Sequence, residues 1–132
     1  MAESLALASD PGQAEDARLA ALRHCMFVPG NDPRPWLDGW HPQWRQAYRE
    51  ASASPARDSW YGHGHAPLLD LQGGQDAWRP PATRQELAKA LADKVRVEVE
   101  VIEGAGHALV PEQPDAIAAA VAGWARRIGH AA

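Results

Sequence analysis

Alternating apolar and charged residues give the clearest pattern in the chain, because valines at 95, 97, 99 and 101 are separated by charged residues over 95–102. Period-two alternation predicts a half-buried strand, and the short apolar run over 68–71 predicts another. Between them, Leu87, Ala90 and Leu91 recur at helical spacing after Thr83-Arg84-Gln85-Glu86, which predicts a capping box and a helix to about Asp93. A strand, a helix and a strand in this order predict two parallel neighbouring strands.

The remaining apolar patterns predict helices on both sides of this unit. Near the end of the chain, apolar residues recur at i, i+4, i+7 and i+11, which predicts a final helix with a buried stripe: Ile117, Val121, Trp124 and Ile128. Earlier patterns favour helices over 14–25 and from His41-Pro42 to about Ala51, separated by a proline-rich loop. We therefore divide the chain into a flexible leader (1–12), a small helical segment (13–66) and the strand-containing part (67–132).

Each predicted strand ends in a glycine-containing turn that carries one titratable residue. The first turn is Gly73-Gly74-Gln75-Asp76 and the second is Gly104-Ala105-Gly106-His107, so the two residues lie 31 positions apart (107 minus 76). Neighbouring strands are about 4.8 Å apart, so side chains that leave the same end of both strands can meet. An aspartate that orients a histidine forms two members of a hydrolytic triad.

These turns, with the helix containing Val110-Pro111-Glu112 that follows them, resemble the C-terminal end of an α/β-hydrolase, whose chain order is nucleophile, acid, histidine. Residues 27–33 and 36–40 resemble the cap region of some bacterial members. The resemblance implies an α/β fold: an incomplete α/β-hydrolase fold with a C-terminal β-α-β-α unit preceded by a small helical cap segment. It also implies hydrolysis of esters or related bonds without a cofactor, with Asp76 as the acid and His107 as general base and then general acid.

The chain departs from this family at the nucleophile. No Gly-x-Ser-x-Gly elbow and no HGGG-type oxyanion segment occur, and Gly62-His63-Gly64-His65 stands just before the acid strand instead. Cys25 follows a predicted helix, which is a poor position for a substitute nucleophile. We therefore predict that the chain alone is inactive and that activity requires a second chain with the serine. The alternative is a catalytically inactive truncated product or interaction module.

Several aromatic and histidine residues admit a second interpretation. Trp36, Trp40 and Trp78 are weaker candidates for substrate contact, because packing within the cap and around the acid turn explains them better. A metal site is suggested by His63 and His65, with His41 and Asp58 nearby in the sequence, and imidazole suits zinc, copper or nickel. Two ligands do not complete a site, so we predict no bound metal.

Bulk properties restrict the class of partner. The 132 residues carry a formal charge of −4 and one cysteine, and they show no basic run, secretory signal or apolar span. We therefore expect a cytoplasmic protein that binds neither nucleic acid nor membrane. The resemblance implies a small ester-like substrate once a nucleophile-bearing chain complements this one. The open edge of the inner strand predicts self-association or pairing with an N-terminal partner chain.

Overall fold

The computed structural model describes residues 1–56, 59–60 and 64–129, and it contains helices around a small parallel sheet. The helices are α1 (Ala2–Ala8), α2 (Glu15–Cys25), α3 (Arg45–Ala53), α4 (Glu86–Ala90), α5 (Leu109–Glu112) and α6 (Pro114–Gly129). The strands are β1 (Leu68–Gly73) and β2 (Val97–Ile102). Short 3-10 turns occupy Arg34–Trp36, Pro42–Trp44 and Pro81–Thr83.

The two strands pair in parallel, as the alternating pattern predicts, with Leu68 opposite Val97 and Gly73 opposite Ile102. The second strand starts two residues later than predicted, because the amide of Val95 still donates to Leu91 O at the end of the preceding helical turn. Both strands end beside the turns that carry Asp76 and His107. The register therefore brings those turns to the same end of the sheet.

Two apolar clusters support this unit. One joins α1 and α2 to the segment that follows them, and its buried members are Ala8, Ala21, Leu22, Cys25, Met26, Phe27 and Ala108. The other lies where β2 meets α6, and its buried members are Ile102, Ala105 and Ala120. Ala108 belongs to the first cluster, so the loop that carries His107 is packed against the N-terminal helices.

The first twelve residues differ from the flexible leader that we expected. Residues Ala2–Ala8 form α1, which packs along α2, and Ala8 is fully buried. Arg18 Nε donates to Ala8 O at 2.9 Å, so a buried guanidinium satisfies the end of the short helix. This tertiary contact compensates for the weak intrinsic stability of a helix of seven residues.

The predicted capping box does not form. The amide and the hydroxyl of Thr83 both donate to Pro80 O at 2.9 Å, which places Thr83 at the end of a 3-10 turn. The helix begins only at Glu86, with Gln85 as its N-cap and no side-chain cap. Pro80 and Pro81 favour this turn, because a proline at the first position fixes its φ close to the helical value.

The apolar stripe of α6 is less buried than its periodicity predicts. Ala120 is buried, whereas Ile117 is only partly buried and Val121 is 44% exposed. Since the sheet among the described residues has two strands, it offers too little apolar surface to cover a helix of 16 residues. The periodicity indicates the correct helix but overestimates its burial.

A close backbone approach fixes the crossing of the two turns. A Cβ added to Gly73 would lie 2.1 Å from Gly106 O and 2.7 Å from Ala105 O. We expect Gly73→Ala to lower the free energy of unfolding by about 3 kcal/mol, because the backbone of the histidine loop must move. Urea titration measures this change, and Gly64→Ala is the matched control, since no atom of the described residues lies within 4 Å of its added Cβ. Equal midpoints for the two variants would contradict the close crossing.

Candidate acid–base pair

The predicted acid and base meet at the end of the sheet. His107 Nδ1 lies 3.0 Å from Asp76 Oδ2, and the exposed fractions of the two side chains are 46% and 6%. Because a carboxylate only accepts hydrogen bonds, the neutral imidazole carries its hydrogen on Nδ1 and leaves Nε2 as the basic nitrogen. The pair therefore combines a buried orienting carboxylate with an accessible base.

Hydrogen bonds from backbone amides and from one arginine side chain hold the turn that carries Asp76. The amide of Gln75 donates to Ala105 O at 2.9 Å, and Arg84 Nη2 donates to Gly74 O at 2.8 Å. The amide of Trp78 donates to Asp76 Oδ1 at 2.7 Å. One carboxylate oxygen is thus occupied by the backbone, and the other faces His107.

Trp78 closes one side of the pair. Its Nε1 donates to Cys25 O at 2.6 Å, and its ring centroid lies 5.9 Å from that of His107. The hydrogen bond fixes the indole between the end of α2 and the imidazole. Trp78 therefore shields the acid turn, while 38% of the residue is exposed.

A buried carboxylate that the sequence interpretation did not assign to the site holds the histidine loop. Glu112 Oε2 accepts the amide of Gly106 at 2.6 Å, and Oε1 accepts the amide of Val28 at 2.6 Å and Asn31 Nδ2 at 2.8 Å. These donors come from segments about 80 residues apart in the chain. The only local signal is a glutamate five positions after the histidine, and its long-range partners cannot be inferred from spacing.

The same loop contacts the end of α2 through its backbone. The amide of Ala108 donates to Met26 O at 3.0 Å, and a Cβ added to Gly106 would lie 2.7 Å from that carbonyl oxygen. His107 is therefore held between two residues whose backbones are fixed. The contacts of Gly106 and Ala108, the residues before and after it, thus fix the position of the His107 backbone.

No nucleophile is paired with this base in the described part of the chain. Among residues 1–56, 59–60 and 64–129, no serine, threonine or cysteine side chain hydrogen-bonds to the His107 ring. Cys25 and His107 border the same cavity, but it measures only about 30 Å³ and Cys25 is 2% exposed. Burial also raises the pKa of the Cys25 thiol, which disfavours the thiolate that acts as a nucleophile.

The predicted tryptophans occupy different positions. Trp36 packs on Phe27 with ring centroids 5.3 Å apart, and Trp40 packs on Trp36 at 6.4 Å. Both rings contact the apolar cluster of α1 and α2. Trp40 and Trp78 also line one surface groove, whereas Trp36 is not among its lining residues.

The metal alternative receives no support from the described residues. His63 and Asp58 lie outside them, and within 1–56, 59–60 and 64–129 no group of three or more His, Cys, Asp or Glu residues is placed to hold a metal ion. In the same ranges, no helix combines the length and apolar character needed to cross a membrane.

Comparison with known proteins gives no match to a protein family, to a curated protein or to a solved structure. Function therefore has to be argued from the residues themselves. The pair of Asp76 and His107, its shielding tryptophan and the Glu112 contacts are the features that bear on chemistry.

We expect Glu112→Gln to lower the free energy of unfolding by about 2 kcal/mol, because the amide nitrogen would face a backbone donor and leave a buried N–H unpaired. Urea titration provides the measurement. Asp93→Asn is the matched control, since Asp93 is exposed and a surface change of this kind has an effect within about 0.5 kcal/mol. Indistinguishable unfolding curves for the two variants would show that Glu112 does not hold the loop.

Cys25 should react slowly with iodoacetamide in the native protein at neutral pH and rapidly in denaturant, as followed by mass spectrometry. Because the folded-state pKa is raised, the folded state retains its proton where the unfolded state has lost it. The protonated Cys25 thiol therefore adds to the free energy of unfolding at low pH, and this addition is lost as the pH rises through the raised folded-state pKa of Cys25. Cys25→Ala should lack that alkaline loss, and rapid native labelling would refute the assigned burial.

Proposed function

We propose that this chain supplies the acid and the base of a nucleophile–histidine–acid triad, in an α/β-hydrolase-type enzyme that cleaves carboxylic esters or related bonds. One observation carries the proposal: a buried carboxylate, Asp76, lies 3.0 Å from Nδ1 of a half-exposed imidazole, His107. The order of the two residues, their turns and the intervening helix agree with the resemblance described above.

The chemistry follows from the orientation of the imidazole. His107 Nε2 accepts the proton of a nucleophile hydroxyl as its oxygen attacks the ester carbonyl, and it then donates that proton to the departing alcohol. In the second half of the reaction, Nε2 takes a proton from the water molecule whose oxygen attacks the acyl group. The bond between the acyl group and the nucleophile oxygen then breaks, the carboxylic acid leaves, and Nε2 returns the proton to that oxygen. Asp76 keeps the proton on Nδ1 and stabilises the imidazolium in both halves.

The nucleophile has to reach this pair from another segment or chain. No Gly-x-Ser-x-Gly occurs in the 132 residues, and in the described part of the chain β1 pairs with β2 alone. The other edge of β1 consequently presents unpaired backbone groups that a further strand can bind. A nucleophile-bearing strand in that position would end at the same end of the sheet as Asp76.

The ring state of His107 tests the pair without any partner. We expect nitrogen NMR of the imidazole above neutral pH to show hydrogen on Nδ1 and none on Nε2, because Asp76 accepts from Nδ1. Asp76→Asn should abolish this preference, since an amide nitrogen can face the ring as a donor. His65, an exposed histidine, is the internal control for an unconstrained ring. An equal mixture of tautomers at His107 in the unaltered protein would contradict the assigned role.

Turnover of p-nitrophenyl butyrate tests the enzyme. We expect the chain alone to hydrolyse it no faster than His107→Ala does. Co-expression with a chain that carries Gly-x-Ser-x-Gly should produce turnover that His107→Ala and Asp76→Asn lower by about 10³-fold or more, and that His65→Ala leaves unchanged. Turnover that survives His107→Ala would overturn the proposal. If His107 carries its hydrogen on Nδ1 as expected but the co-expressed chains show no turnover, the chain is better described as a catalytically inactive module.

A further inference from the structure

A groove of about 540 Å³ opens beside Trp78, on the side of the molecule formed by α1, α3 and the Trp40–Pro42 turn. Its volume lies within the range of small-molecule sites. Leu5 and alanines of α1 contribute apolar surface, and Trp40 and Trp78 contribute aromatic surface. The groove thus continues from the indole that contacts His107.

The two indoles offer the groove only their rings. Trp78 Nε1 donates to Cys25 O, and Trp40 Nε1 donates to Trp36 O. Neither N–H is available to a ligand. This part of the groove therefore suits the apolar or aromatic portion of a molecule.

The charge of the groove is of one sign. Arg45 and Arg49 line it from successive turns of α3, and among the residues that the structure describes no aspartate or glutamate lines it. Arg45 Nη2 donates to Ser9 Oγ at 2.5 Å, which anchors that guanidinium while leaving other donors free. Glu50, the acidic residue next to Arg49 in sequence, accepts a hydrogen bond from Gln46 instead. A carboxylate matches neighbouring guanidinium groups in charge and geometry, and it is common on small molecules that also carry an apolar body.

We infer that this groove binds a small molecule that joins an apolar, preferably aromatic, body to one carboxylate. The carboxylate pairs with Arg49 and Arg45, and the apolar body packs against Trp40 and Trp78. The further step, that the ligand is the substrate, rests on the proposed function: the substrate then carries a free carboxylate in addition to the bond that is cleaved beside His107. Binding itself does not depend on catalysis.

The probe is phenylbutyrate, with phenylbutanol as its uncharged counterpart, titrated into the full chain by calorimetry. We expect phenylbutyrate to bind about tenfold more tightly, since one charge-assisted hydrogen bond is of that order. In a parallel titration followed by proton NMR, the indole N–H resonances of Trp40 and Trp78 should shift. Equal affinity for the two ligands, or no binding of either, would overturn the inference.

Arginine variants locate the charge. Arg49→Gln should remove most of the difference between the two ligands, Arg49→Lys should restore part of it, and Arg23→Gln on the exposed surface of α2 should leave it unchanged. Arg45→Gln should weaken phenylbutyrate binding as well, and circular dichroism checks that loss of the Ser9 contact has not unfolded α1. A preference for phenylbutyrate that persists in both glutamine variants would refute the site.

His107→Ala separates this inference from the proposed function. The groove should bind phenylbutyrate with unchanged affinity in that variant, because His107 is not among its lining residues. Loss of ester turnover with intact binding supports both conclusions. If phenylbutyrate binds but no ester is ever hydrolysed, the ligand site in the groove is supported and only the proposed hydrolase function is refuted.

Discussion

The buried carboxylate of Glu112 is the contact on which the arrangement of the site depends. A desolvated carboxylate is costly unless hydrogen bonds replace its water, and here three N–H donors from two distant segments do so. One oxygen binds the segment after α2, and the other binds the amide immediately before His107. The N-terminal helices and the histidine loop are therefore held together by a side chain that takes no part in the proposed proton transfers.

Local sequence patterns were sufficient to predict the part of the fold that carries Asp76 and His107. Alternation over 95–102 and the apolar run at 68–71 predict the strands, and the helical spacing between them predicts their parallel pairing, which the structure confirms. Since side chains leaving the same end of neighbouring strands are close, the proximity of Asp76 and His107 follows from topology. Neither result requires knowledge of the packing above the sheet.

Features that depend on distant contacts were not predictable in this way. A seven-residue helix at 2–8 has too little intrinsic stability to be inferred, and Arg18 and α2 stabilise it. Glu112 illustrates the same limit, because its partners are set by how the loop and the α2 segment approach each other. The capping pattern at Thr83 fails for a local reason instead, because the carbonyl oxygen of Pro80, three residues earlier, accepts both of its donors. Sequence spacing predicts neighbours along an element better than it predicts contacts between elements.

The half-exposed stripe of α6 has a direct bearing on the proposed nucleophile-bearing strand. A helix with apolar residues at i, i+4, i+7 and i+11 is suited to a sheet wider than the two strands that the described residues provide. Val121 is left 44% exposed, and the outer edge of β1 has no partner in the same residues. A further strand on that edge would widen the sheet beneath α6 and would present its own terminal turn beside Asp76. Under the proposed function, the exposed apolar surface of α6 and the missing nucleophile would both be explained by one further strand on the outer edge of β1.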